Sequence, residues 1–174
     1  MKDKKKENKN GNKNEKKKDK IICREAVNDY RQREFLALDK MFSKYDWMWL
    51  ATLTVEHGLS SYAVEEKIES WARKLQTTEH VQVGYLGVMC EKNHHLHVHL
   101  LMVGQGTHNG KILTLGDVNP RKWSDRWPFF AKIEDVEDPY RASRYVASHK
   151  LKSKCDKCEI IDYNKKCLQK YEII

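Results

Sequence analysis

The stretch His95-Leu96-His97-Val98-His99-Leu100-Leu101-Met102-Val103 decides how the rest of the chain is read. Side chains alternate along a strand, so His95, His97 and His99 share one face. Leu96, Val98, Leu100 and Met102 share the other, which is an apolar set suited to a core. Three imidazoles at period two are hard to explain as packing, because each one buried would need its own partner. Spaced about 7 Å apart along one strand face, two or three of them form a pincer for a divalent metal.

Working outward, Val81 to Cys90 reads as a second strand, joined to the first by the tight polar turn Lys92-Asn93-His94. So short a link implies an antiparallel hairpin. Trp47 to Thr54 is aromatic and β-branched and predicts another strand, with Pro128 to Val136 a fourth. Val27, Tyr30, Phe35, Leu38, Met41 and Phe42 recur at helical spacing and predict a helix over 24–45. A second helix follows Ser60 or Ser61, with Val64, Ile68, Trp71 and Leu75 on one face. Pro139 opens a third, running to about His149. Gly104 to Lys122 reads as a loop. The expected fold is α+β: an antiparallel sheet of four to five strands with its helices packed on one face.

Charge is unevenly placed. The chain has 174 residues, 33 Lys+Arg against 25 Asp+Glu, and a net charge of +8. Residues 1–20 hold ten Lys and four acids, a balance of +6, so only +2 is left for the other 154 residues. That Lys-rich tail is expected to be disordered, and the length suits one domain beyond it. No run of 18 apolar residues occurs and the first residues lack an apolar core. A membrane protein and a secreted one are therefore not expected. Five cysteines, an odd number, read as reduced thiols in a cytosol-like compartment.

His97-Val98-His99-Leu100-Leu101-Met102 resembles the His–hydrophobic–His motif of HUH endonucleases, the superfamily of rolling-circle replication initiators (Rep proteins), relaxases and related transposases. Leu50-Ala51-Thr52-Leu53-Thr54 looks like that family's first motif. Arg141-Ala142-Ser143-Arg144-Tyr145-Val146-Ala147-Ser148-His149-Lys150 looks like its third, the helix of the nucleophilic Tyr. The three stand in the family's order across residues 46–152. His95 to Leu101 is also similar to the alternating triad of histidine-triad nucleotide hydrolases. That triad normally closes its domain after a helix, whereas here a strand precedes it and over 70 residues follow, so the order favours the HUH family.

The HUH resemblance implies a ferredoxin- or RRM-like sandwich over 21–154, between the tail 1–20 and a Cys-containing C-terminal tail over 155–174. It implies a metal-dependent DNA endonuclease and strand transferase acting on single-stranded DNA at the replication origin of a plasmid or other mobile element, in a prokaryotic cytoplasm. Tyr145 would attack phosphorus to leave a 5′-phosphotyrosine and a free 3′-OH. His97 and His99 would hold Mg²⁺ or Mn²⁺, with Glu91 as third ligand if a three-residue turn sets it opposite His95. The family's Lys lies three or four residues after its Tyr; those positions are Ser148 and His149 here, which makes Lys150 the substitute. A transposase of the same superfamily shares this chemistry, but its usual compact chain leaves less room for the helix over 24–45 and the basic tail.

Around the Tyr, Arg141, Arg144, Lys152 and Lys154 would line a phosphate track for the DNA. Trp123 and Trp127 are expected in the core rather than stacked on bases, and His94 in solvent. Cys155-Asp156-Lys157-Cys158, with Cys167 and His149, has the composition of a structural Zn²⁺ site. No Gly-rich phosphate loop ending in Gly-Lys-Ser/Thr is present, so a separate helicase, and a polymerase, would serve as partners.

Overall fold

The computed structural model describes residues 29–92, 95–152 and 157–173, with Lys92, Leu151, Lys152 and Lys157 described by backbone alone. By internal contacts the chain forms two units, 1–37 and 38–174. Residues 29–37 of the first are helical, and the helical stretch (α1) runs on to 42. The Lys-rich tail over 1–20 and Cys23 lie outside the described residues.

The second unit is α+β, built on a six-stranded antiparallel sheet. Its strands are β1 (Trp49–Thr54), β2 (Gln82–Lys92), β3 (His95–His108), β4 (Lys111–Thr114), β5 (Ala131–Asp135) and β6 (Lys157–Tyr163). The order is β5-β1-β3-β2-β6, with β4 paired to the far end of β3. The histidine strand is thus central, and its residues 97–102 are paired on both sides, by β1 and by β2.

Alternation divides the sheet into two faces. Trp49, Ala51 and Leu53 of β1, with Val98, Leu100 and Met102 of β3, are buried beneath α2 (Ser61–Glu79). Ser60 caps that helix by accepting from Ala63 N–H at 3.2 Å, and Val64, Ile68, Trp71 and Leu75 form its buried stripe. Trp123, on the short helix α3 (Pro120–Ser124), and Trp127 are buried in the same core. Their indoles donate to Glu79 Oε1 at 2.9 Å and to the Thr54 carbonyl at 2.8 Å, which meets the requirement that a buried N–H be partnered.

The other face is covered too, by α4 (Pro139–Lys152) and α5 (Lys165–Leu168), so the helices do not all lie on one side as expected. At Gly84 a Cβ would lie 3.1 Å from Leu168 Cγ, so the missing side chain lets α5 close on β2. Ser143 of α4 is fully buried: its hydroxyl lies 2.7 Å from the Pro139 carbonyl and 3.1 Å from that of Phe42, and accepts from Trp47 Nε1 at 3.1 Å. This buried node fixes α4 against residues 42–47. Asp138 caps the helix, its Oδ1 accepting from Arg141 N–H at 3.0 Å.

Three sequence expectations change. The stretch 104–122 is not one loop: β3 continues to His108 and turns through Asn109 (φ 50°) and Gly110 (φ 75°) into β4. Both turn residues have positive φ, the geometry that matches hairpin twist and that Asn-Gly adopts readily. Residues 157–163 are not tail but the sheet strand β6, paired with β2. The sheet therefore has six strands rather than four to five. Among the described residues no helix is long and apolar enough to cross a membrane.

Candidate active site

Register puts the site on the α4 face of the sheet. His97 pairs with Thr54 of β1 and Cys90 of β2, and His99 with Thr52 and Val88. Residues directly across a ladder share a face, so Thr52, Thr54, His97 and His99 all point toward α4.

From that helix Arg141, Tyr145 and His149, each four residues apart, form one stripe. Tyr145 and His149 face the histidine strand. The His149 ring centroid lies 3.9 Å from that of His99 and 6.3 Å from that of His97. Tyr145 stands 5.7 Å from His99, edge to face, and 4.8 Å from His149. Its side chain is 43% exposed, so the phenol borders the imidazoles and is open to a substrate. An open cleft of about 530 Å³ adjoins it, lined by Leu50, Arg141 and the acids Glu134, Asp135, Glu137 and Asp138 among others.

The three imidazoles of His97, His99 and His149 offer nitrogen atoms within 4.8 Å of one another, close enough to hold one metal ion. His99 carries the sharpest indication. It is only 3% exposed, and its Nδ1 lies 3.2 Å from Thr52 Oγ1. Its Nε2 is buried with no hydrogen-bond partner among the described residues. A buried nitrogen left bare costs free energy unless something binds it. With Thr52 accepting from Nδ1–H, the lone pair sits on Nε2, the arrangement that a second-shell hydrogen bond gives a metal-binding imidazole. Burial, with the neighbouring His149 and His97 adding to it, pushes the His99 pKa down to about 3, so the ring is neutral at physiological pH, as a ligand must be.

Glu91 does not join this group. β2 and β3 pair Lys92 with His95, so Glu91 falls opposite Leu96, on the α2 side of the sheet. A one-residue change in the turn moves every side chain to the other face. The third nitrogen comes from His149, which sequence reasoning assigned only to a zinc cluster with the cysteines. The i, i+4 spacing of Tyr145 and His149 was the available signal. Thr52 was also missed as a partner of His99; its signal was the alternating Thr of β1.

Lys150 follows His149 and is turned about 100° from it around the helix axis. Arg141 and Arg144 are exposed, and the Arg144 guanidinium lies 5.7 Å from the centre of the Tyr140 ring. The side chain of Lys152, and Lys154, Cys155 and His94 as a whole, lie outside the described residues. The cysteines that are described do not form one cluster. Cys158 Sγ lies 3.0 Å from Cys90 Sγ, whereas Cys167 Sγ lies 3.3 Å from the Gln82 carbonyl, toward the other end of β2. Cys167 stands on α5, away from the Cys90–Cys158 pair, and His149 sits in the imidazole group, which argues against the four-ligand zinc site.

No protein-family model, no curated protein and no solved structure matches this chain.

Proposed function

We propose that this chain nicks and rejoins single-stranded DNA through a tyrosine nucleophile beside a histidine-bound divalent metal, as a replication initiator of the HUH type. The observation that carries the proposal is the packing of Tyr145 against His99 and His149. Three sequence segments that resemble HUH motifs are drawn from β1, β3 and α4, and their side chains converge on one face of one sheet. A central histidine strand in an antiparallel sheet fits the fold the resemblance implies.

His97, His99 and His149 would hold the metal. A divalent ion bound there would supply Lewis-acid polarisation of the scissile phosphate and offset its developing charge. Three imidazole donors suit Mn²⁺, Co²⁺ or Zn²⁺ better than Mg²⁺, which prefers oxygen ligands; of these Mn²⁺ also accepts the phosphate and water oxygens that a cleavage site must bind, and it is the ion proposed here. Thr52 orients the His99 ring through Nδ1. Tyr145 supplies the phenol oxygen that attacks phosphorus; the P–O3′ bond breaks, leaving a 5′-phosphotyrosine and a free 3′-hydroxyl. Attack by a 3′-hydroxyl on the phosphotyrosine reverses the exchange and rejoins the strand without ATP. Arg141, one turn before Tyr145 and on the same stripe, would be the cation that meets a phosphate in a cleft whose other charged lining residues are Glu134, Asp135, Glu137 and Asp138.

The test is cleavage of a mixed pool of labelled single-stranded oligonucleotides with Mn²⁺, repeated after chelation. Site-selective cleavage that chelation abolishes is expected. Metal-independent cleavage, or hydrolysis of nucleoside phosphoramidates in its place, would overturn the reading, the latter in favour of histidine-triad chemistry.

A further inference from the structure

One row across the sheet runs Cys158 (β6), Cys90 (β2), His97 (β3), Thr54 (β1). The two cysteines are direct cross-strand partners and their sulfurs lie 3.0 Å apart, on the face that carries the imidazoles. Directly opposed residues in an antiparallel pair have Cα atoms about 4.5–5.5 Å apart, within the range that a disulfide spans. Two sulfurs already in contact need only lose two electrons to join. Cys90 is fully buried and Cys158 is half-buried on the edge strand, so an oxidant meets Cys158 first.

We propose that Cys90 and Cys158 are a reversible oxidation site that responds to hydroperoxides and staples β6 to β2. The Cys158 thiolate attacks a peroxide oxygen; the O–O bond breaks and the sulfur becomes a sulfenic acid as one equivalent of water or alcohol leaves. The Cys90 thiol then attacks that sulfur, its proton leaves with the hydroxyl as water, and the S–S bond forms. Two thiols are oxidised by two electrons and one hydroperoxide is reduced. A thiol reductant reverses the bond by exchange.

The consequence is mechanical. β6 follows α4 in the chain, and its edge pairing with β2 holds that end of the sheet. An edge strand opens more readily than a central one, and a covalent link at Cys158 suppresses that opening. The link sits one strand away from His97, so the site is braced without any of its groups being consumed.

The test treats the full reduced chain with hydrogen peroxide, then alkylates the remaining thiols under denaturing conditions and maps the peptides by mass. The oxidised chain is expected to be about 2 Da lighter before alkylation and to return to the starting mass with dithiothreitol, and the alkylated digest to contain the Cys90 and Cys158 peptides joined. Amide hydrogen exchange over 157–163 is expected to slow by roughly tenfold on oxidation. Cys158→Ser should not give the linked peptide. A link from Cys158 to Cys155 or Cys167, a sulfinic acid in place of a link, or unchanged exchange in β6 would each overturn the proposal. None of these readouts depends on DNA cleavage or on a bound metal.

Discussion

The His99 and His149 rings pack with centroids 3.9 Å apart and planes tilted by 39°, although one stands on the central strand and the other near the end of the helix that covers it. Two devices hold them there. Thr52 Oγ1 orients the His99 ring from the neighbouring strand, and the buried Ser143 node seats α4 against residues 42–47. The three-imidazole group therefore depends on β1, β3 and α4 together.

Replacing His149 separates the two candidates for third ligand. His149→Ala is expected to weaken Mn²⁺ binding, measured by calorimetry, by at least the 10–100-fold that loss of an outer partner costs a metal site. Glu91→Gln, on the opposite face, should leave affinity unchanged. The reverse pattern would restore the carboxylate.

Thr52→Val keeps the shape of the side chain and removes the oxygen that meets His99 Nδ1. Mn²⁺ affinity should fall roughly 10–100-fold. Metal-free stability should fall by about 1–3 kcal/mol, because a buried ring nitrogen then loses its only partner among the described residues. Urea denaturation and calorimetry on the same sample check both.

Ser143→Ala tests how α4 is seated. Trp47 Nε1 keeps its bond to the Phe42 carbonyl at 2.7 Å, so the change loosens the node rather than emptying it. A loss of about 1 kcal/mol in urea denaturation is expected, near the net worth of one hydrogen bond.

The metal-free protein should lose stability in acid through His99. Its folded pKa of about 3 lies below the ordinary imidazole value, so the unfolded chain binds the proton more readily. The contribution is whole above about pH 6.5 and is lost progressively as pH falls toward 3. Its size is on the order of a few kcal/mol. Urea midpoints of the chelated protein between pH 7 and 4, compared with His99→Gln, measure it: the wild-type slope should be the steeper.

The parts of the fold that follow from side-chain period were legible in the sequence. Alternation of His and Leu in β3, and the 4, 3, 4 spacing of Val64, Ile68, Trp71 and Leu75, each fixed an element and its inward face. What was illegible turned on single residues. Counting Lys92 as part of the turn sets Glu91 opposite His95, whereas the pairing of Lys92 with His95 in the ladder puts Glu91 on the other face. Asn109-Gly110 was a readable hairpin signal hidden by the surrounding glycines. The polar and cysteine-bearing run before Ile160 concealed β6, because an edge strand needs little apolar sequence of its own. His149 could not be joined to His97 and His99 by period at all, since they meet only when α4 folds across the sheet.

The most direct test of the central claim is a covalent one. Labelled single-stranded oligonucleotides are incubated with the protein and Mn²⁺ and resolved on a denaturing protein gel beside Tyr145→Phe. A protein–DNA band in the wild type, absent from the variant and mapping to a phosphotyrosine at Tyr145, is the result expected. Cleavage with no such band, or a band that persists in Tyr145→Phe, would contradict a Tyr145 nucleophile.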